Sequence, residues 1–191
     1  MSRPLNVVGV SGSLHEPSRT TALVRTILAE VGTRIEIDST LIEVASLGPG
    51  FAGALRRDEV APEVEEALQL IESADLLVVG SPVYRASFTG LFKHLFDFVG
   101  QYDLVGTPVL LAATGGGERH ALILEHQLRP LFGFFQALTL PLGVYASDSD
   151  FVDRQLASSD VQRRVSQAVG RSLPIIEQAR LVSSSEYVTT W

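Results

Sequence analysis

Three short stretches concentrate hydroxyl, basic, aromatic and glycine residues in patterns that suit ligand binding. The first reads Gly9-Val10-Ser11-Gly12-Ser13-Leu14-His15-Glu16-Pro17-Ser18-Arg19-Thr20-Thr21, with five hydroxyl side chains and one arginine on a small backbone ahead of a helical segment. A phosphate group is held by such a set: free N–H groups at the positive end of a helix, hydroxyl donors and a guanidinium. The Gly-Lys-Ser/Thr ending of a P-loop is missing from this stretch, and the stretch holds no G-x-G-x-x-G, so the pattern favours a phosphomonoester over a dinucleotide's paired phosphates. The same residues also suit an ordinary capped turn with Ser18 as N-cap.

The second stretch, Gly80-Ser81-Pro82-Val83-Tyr84-Arg85-Ala86-Ser87-Phe88-Thr89-Gly90, follows a strongly apolar run. Pro82 fixes the backbone direction, Tyr84 offers a flat face with a polar tip, and Arg85 could meet a negative charge. It reads either as a rest for a planar heterocycle or as a strand-to-helix connection with Tyr84 packed on the core. The third, Thr114-Gly115-Gly116-Gly117-Glu118-Arg119-His120, places three glycines in succession. Such a run costs backbone entropy. It is explained either by close approach of backbone N–H groups to a flat ligand edge or by a sharp turn. Taken together, the three stretches suit a flavin-sized ligand.

Hydrophobic period gives the strands and helices that carry these stretches. Strand-length apolar runs occur at Leu5–Val10, Ile35–Val44, Asp75–Gly80, Pro108–Ala113 and Thr139–Tyr145. Between them lie segments of helical period: Ser18–Val31, one opening at Pro62, Thr89–Val99, a long helix over Glu118–Ala137 and a last one over Ser158–Ala179. Leu47–Ala61 reads as a loop with a helical turn. Strands alternating with helices predict an α/β, flavodoxin-like three-layer sandwich around a five-stranded parallel sheet of order 2-1-3-4-5. In that topology the three stretches fall at the carboxyl ends of strands one, three and four, where ligands bind. One domain is expected over residues 1–182, with a tail over 183–191 that is either poorly ordered or engaged with a partner.

Composition narrows the function further. The 191 residues are 46% hydrophobic and carry a formal net charge of −7, which argues against nucleic-acid binding. The absence of cysteine removes disulfides, thiolate metal sites and thiol catalysis, and fits a reducing compartment. No run approaches a membrane span and no leader pattern opens the chain, so a cytoplasmic protein is expected. His15, His94, His120 and His126 show no H-E-x-x-H spacing and no G-x-S-x-G occurs, so neither a metal site nor a hydrolase is indicated. Phe132, Phe134 and Phe135 leave the long helix apolar on more than one face, as in a fully buried helix or an oligomer contact.

Several motifs together resemble the NADPH-dependent FMN reductase family. G-S-x4-S-R-[ST] falls at Gly12–Thr20, P-V-Y-[KR] at Pro82–Arg85 and A-T-G-G at Ala113–Gly116, supported by Phe92–Asp97 and Leu128–Leu131. Within the family the chain resembles the flavin reductase components of two-component alkanesulfonate and methanesulfonate monooxygenases. The resemblance implies that Ser11, Ser13, Ser18, Arg19 and Thr20 hold the FMN phosphate. It places Pro82, Val83, Tyr84 and Arg85 along the isoalloxazine, and Thr114, Gly115, Gly116 and Gly117 at its pyrimidine edge. It also implies hydride transfer from NADH or NADPH to FMN, with FMNH2 supplied to a partner monooxygenase in organosulfur use. Arg85 is the best candidate for a charge contact to the flavin or the pyridine nucleotide, and hydride transfer requires no acid or base. The alternative is a quinone, azo or chromate reductase with FMN as a prosthetic group. A homodimer or homotetramer is implied, with a π-bulge in the helix after the glycines near His126.

Overall fold

Alternation along the first strand, β1 (Leu5–Ser11), sorts its side chains between two apolar layers. Val8 and Val10 enter one layer, and Leu5 and Val7 enter the other. A computed structural model describes residues 3–181; the expected tail over 183–191 lies outside the described residues. Its further elements are α1 (Arg19–Gly32), β2 (Ile37–Glu43), α2 (Gly48–Ala52), α3 (Pro62–Glu72), β3 (Leu76–Pro82), α4 (Gly90–Phe98) and β4 (Pro108–Gly115). Then come a π-helical segment (Leu124–Leu128), α5 (Arg129–Phe134), β5 (Leu138–Thr139), β6 (Val144–Ser147), β7 (Phe151–Val152), β8 (Gln155–Leu156) and α6 (Ser159–Leu181).

The main sheet runs β2-β1-β3-β4-β5 with every pairing parallel, and β6 joins β4 beyond β5. Helices α1 and α6 cover one face, and α2, α3, α4, the π segment and α5 cover the other. This is the expected three-layer sandwich in the expected order. Central strands β3 and β4 are buried throughout except at their last residues, which explains their near-continuous hydrophobicity.

Two expectations about elements need correction, and one element is new. The fifth strand is interrupted: Thr139 pairs with Val109 but Val144 pairs with Ala112, so this side carries two more residues than β4 spans. Pro141 lies in the gap, where its missing N–H prevents a continuous ladder. Pairing then resumes as far as Ser147, opposite Gly115. The helix expected over Glu118–Ala137 is broken into a 3-10 turn (Glu118–His120), the π segment and α5. Pro130 cannot donate to the carbonyl of His126, four residues back, which would have continued a regular α-helix. Instead the Arg129 N–H reaches the Leu124 carbonyl, five residues back, so His126 sits within a π turn. The new element is the antiparallel β7–β8 hairpin, for which the sequence carries no turn motif.

Phe132 and Phe135 are buried while Phe134 is 62% exposed, so these phenylalanines divide between core and surface. Phe92, fully buried between Phe88 and Phe96, packs directly on Gly12 at the start of the first loop. A Cβ on Gly12 would lie 2.7 Å from Phe92 Cδ2 and 2.9 Å from its Cβ. The Gly12→Ala variant is therefore expected to lose about 2 kcal/mol by overpacking, read as a lowered midpoint in denaturant unfolding with an unchanged slope.

Candidate active site

At the carboxyl ends of β1, β3 and β4 a cleft of about 300 Å³ opens between the three loops. The order reverses here: the chain passes from β1 outward to β2, then back across to β3. Neither β2 nor β3 covers the loop between β1 and α1, so the N-terminus of α1 is accessible.

From the first loop, Ser13, Ser18, Arg19 and Thr20 line the cleft together with His15 and Pro17. Ser18 caps α1, its hydroxyl accepting the Thr21 N–H at 3.2 Å. Capping and lining thus coincide in one residue. The N–H groups of Arg19 and Thr20, in the first turn, have no intrahelical acceptor and are left for a ligand or solvent. Ser13 is 9% exposed, with its hydroxyl donating to the His15 carbonyl at 3.1 Å. Ser11 is not brought to the cleft. It is the last residue of β1, its side chain falls on the α1 side of the sheet, and its buried hydroxyl bonds Thr21 Oγ1 at 2.8 Å. Thr21 in turn donates to Glu43 at 2.8 Å.

From the second loop, Pro82, Val83 and Tyr84 line the cleft, with Tyr84 41% exposed. Arg85 does not line it. Tyr84 and Ser87 exchange backbone hydrogen bonds of 2.8 and 3.1 Å around a two-residue turn, and Arg85 lies at its tip. Both turn residues are left-handed, with φ of 51° at Arg85 and 70° at Ala86. Side chains other than glycine's pay a steric cost there, which the neighbouring packing must sustain.

From the third loop, Thr114, Gly115 and Gly116 line the cleft and Gly117 lies just beyond. The glycines have different reasons. A Cβ on Gly115 would come within 2.6 Å of the Tyr145 hydroxyl, so that glycine makes room for a tyrosine. A Cβ on Gly116 or Gly117 would meet nothing within 4 Å, so these two leave bare backbone beside the cleft. Tyr145 donates to the Gly117 carbonyl at 2.6 Å and pins the loop. Burial pushes its phenol above the ordinary tyrosine range, so it stays a donor near neutral pH.

The loops are tied into one unit. Gly12 N–H donates to the Gly80 carbonyl at 2.7 Å, Thr89 Oγ1 donates to the Gly12 carbonyl at 2.7 Å, and Val83 N–H donates to the Thr114 carbonyl at 2.8 Å. The hydroxyls of Thr20 and Thr114 meet at 2.6 Å beneath the cleft. Ser87 reaches Gln127 of the π segment at 3.1 Å.

Two charged lining residues come from sequence that carried no motif. Asp148 follows β6 and pairs with Arg19, Oδ1 to Nη1 at 3.0 Å. Arg154, in the β7–β8 turn, donates to the Pro17 carbonyl at 2.6 Å. That turn is Asp153-Arg154, with φ of 46° and 64°, and lacks the Asn-Gly or Asp-Gly signature that would reveal it in sequence. Beside it, Asp150 is pushed up by burial, but bonds from the Ser147 N–H and hydroxyl outweigh this and hold its carboxyl below the ordinary range. Among the described residues no group of three or more histidines and carboxylates is placed to hold a metal ion. His94 instead packs between Phe51 and Phe98, with Nε2 at 3.2 Å from the Phe51 carbonyl. No helix among the described residues is long and apolar enough to cross a membrane.

The cleft joins cationic and hydroxyl groups around a helix N-terminus to a tyrosine and to bare glycine backbone. That combination fits a phosphate-bearing planar heterocycle such as FMN. Comparison with known proteins points the same way. Residues 5–151 match the family described as NADPH-dependent FMN reductase. The NADH-dependent FMN reductase SfnE of Pseudomonas putida is 55% identical over 175 residues, 92% of this chain and 94% of the relative. An FMN reductase (NADPH) of Pseudomonas aeruginosa is 50% identical over 175 residues, with the same shares covered. Among solved structures, an oxidoreductase from Corynebacterium diphtheriae superposes with a TM-score of 0.81 at 30% identity, covering 92% of this chain and 99% of that one.

The turn in the second loop gives a direct test of stored strain. Ala86→Gly is expected to stabilise the fold by about 1 kcal/mol, because φ of 70° costs alanine and not glycine. Thermal unfolding of the two proteins measures it.

Proposed function

The chain belongs to the NADPH-dependent FMN reductase family, and we propose that it uses NADH or NADPH to reduce FMN, releasing FMNH2 to a partner monooxygenase. One observation carries this reading: the loops after β1, β3 and β4 meet in one cleft that offers a helix N-terminus with Arg19 at one side and open glycine backbone at the other. When bound, FMN accepts hydride from the nicotinamide and, with one proton, becomes FMNH2.

The protein's part is to bind and orient. Ser13, Ser18, Arg19 and Thr20 hold the phosphate, with hydroxyl and N–H donors and one guanidinium. Ser11 acts behind them by positioning Thr21 in the first turn of α1. Pro82, Val83 and Tyr84 support the ring, and their backbone is held by the tie to Thr114. Thr114, Gly115 and Gly116 bring backbone to its polar edge, with Gly117 fixed by Tyr145. Arg85, exposed at the tip of its turn, is free to approach the pyridine nucleotide. Hydride transfer between two bound rings needs position more than proton transfer, so the reading asks no acid or base of the cleft's side chains.

The reading further includes a flavodoxin-like domain over residues 1–182, a cytoplasmic setting, sulfonate metabolism as the context, and a homodimer or homotetramer. The exposed Leu122 and Phe134, either side of the π segment, support self-association there.

Arg19→Ala is expected to weaken FMN binding by roughly ten- to a hundredfold, as for loss of a charge-assisted hydrogen bond, while leaving riboflavin binding unchanged. Equal loss for both flavins would place the phosphate elsewhere. For the reaction, NADH and NADPH oxidation is measured with FMN varied from none to excess. A rate that rises and saturates with FMN, in protein purified nearly colourless, is the expected result. A yellow protein that needs no added FMN and turns over a quinone or azo dye would favour the prosthetic-flavin alternative.

A further inference from the structure

Arg19, the cation best placed for a phosphate, already has an anionic partner inside the cleft. Asp148 Oδ1 lies 3.0 Å from Arg19 Nη1, and both side chains line the same cleft. We propose that Asp148 is an internal competitor for the flavin phosphate, weakening FMN binding so that flavin exchanges instead of remaining as a prosthetic group. This rests on the reading of the cleft as an FMN site.

The position of Asp148 follows from the fold. Parallel pairing brings Ser147, the last residue of β6, opposite Gly115 at the end of β4, so the next residue enters the cleft rim. The turn is rigid. Asp150 takes the Ser147 N–H at 2.7 Å and its hydroxyl at 2.8 Å, and the Asp150 carbonyl accepts the N–H groups of Ala157 and Ser158 at 2.9 and 3.1 Å. Asp148 itself makes no contribution to those bonds, so its carboxylate can change partner while its backbone stays in place.

The ion pair is also easily exchanged. The two side chains are 43% and 51% exposed, and pairs so open to water contribute little net stability. A phosphate dianion that takes Arg19 must displace the carboxylate and then share the cleft with it. Arg154 also lines the cleft, anchored to the Pro17 carbonyl, so positive charge remains there to attract the phosphate. The penalty falls on the phosphate alone. Ring contacts at Tyr84 and the glycine backbone are untouched, so FMN feels Asp148 and riboflavin does not.

The experiment compares dissociation constants of FMN and riboflavin, by quenching of flavin fluorescence at constant ionic strength, in the wild type, Asp148→Asn, Asp148→Ser, Arg19→Ala and the double variant Arg19→Ala with Asp148→Asn. Removing the carboxylate is expected to tighten FMN roughly tenfold, through slower dissociation, and to leave riboflavin unchanged. In the Arg19→Ala background the gain shrinks, because the displaced pair no longer exists. FMN binding that is unchanged or weaker in Asp148→Asn and Asp148→Ser, with riboflavin binding retained, would overturn the inference alone and show that Asp148 positions Arg19. Loss of folding in both Asp148 variants would make the pair a structural tie and overturn it equally. A wild type that binds neither flavin would instead remove the FMN reading, and this inference with it.

Discussion

The contact of Gly12 with Phe92, and the buried Thr89 hydroxyl beside it, set the distance between the first and second loops. Thr89 Oγ1 does two things at once: it donates to the Gly12 carbonyl at 2.7 Å and accepts the Phe92 N–H at 3.3 Å to cap α4. Gly12 N–H bonds the Gly80 carbonyl from the other side. A buried backbone with both polar groups satisfied cannot move without losing those bonds. The loop that leads to α1 is thereby fixed to the end of β3, and Val83 fixes that end to β4. The apolar layer containing Phe92, Phe96 and Phe132 lies directly behind, so the geometry of the cleft is inherited from the packing of the core.

Around that fixed base the polar groups divide into two kinds. The hydroxyls of Thr20 and Thr114 satisfy each other, that of Ser11 is met by Thr21 and that of Tyr145 by the Gly117 carbonyl, and these bonds hold shape. Arg19 and Asp148 are linked by a partly exposed ion pair that a ligand can replace at small cost, while Arg154 is held by the Pro17 carbonyl. An acidic chain thus presents a locally cationic site on its surface. The left-handed Arg85-Ala86 turn belongs with the first kind, since its strain is sustained by the paired backbone of Tyr84 and Ser87.

Much of the fold was legible because its causes are local. Continuous apolar runs such as Leu76–Val79 and Val109–Ala113 identify strands covered on both faces, and Ser18 and Pro62 mark helix starts. The less local features were not. Apolar period alone extended one strand across Pro141 and one helix across Pro130, because period averages over the single residue whose missing N–H breaks the ladder or the turn. The Asp153-Arg154 turn gave no signal, since it adopts φ values that other sequences reserve for glycine or asparagine.

Local sequence is enough to specify the alternation of strands and helices, the order of the sheet, and the three loops whose small, hydroxyl-bearing and basic residues suit a phosphate and a flat ring. Those properties depend on neighbours along the chain and on the handedness of parallel crossovers. Tertiary structure decided which of those residues face the cleft. Ser11 turns under α1, because its strand position fixes its side. Gly115 yields to Tyr145, thirty residues on, while Gly116 and Gly117 remain open. Asp148 and Arg154 arrive from beyond the last strand of the main sheet. Their roles depend on distances across the fold, which no local pattern in the chain encodes.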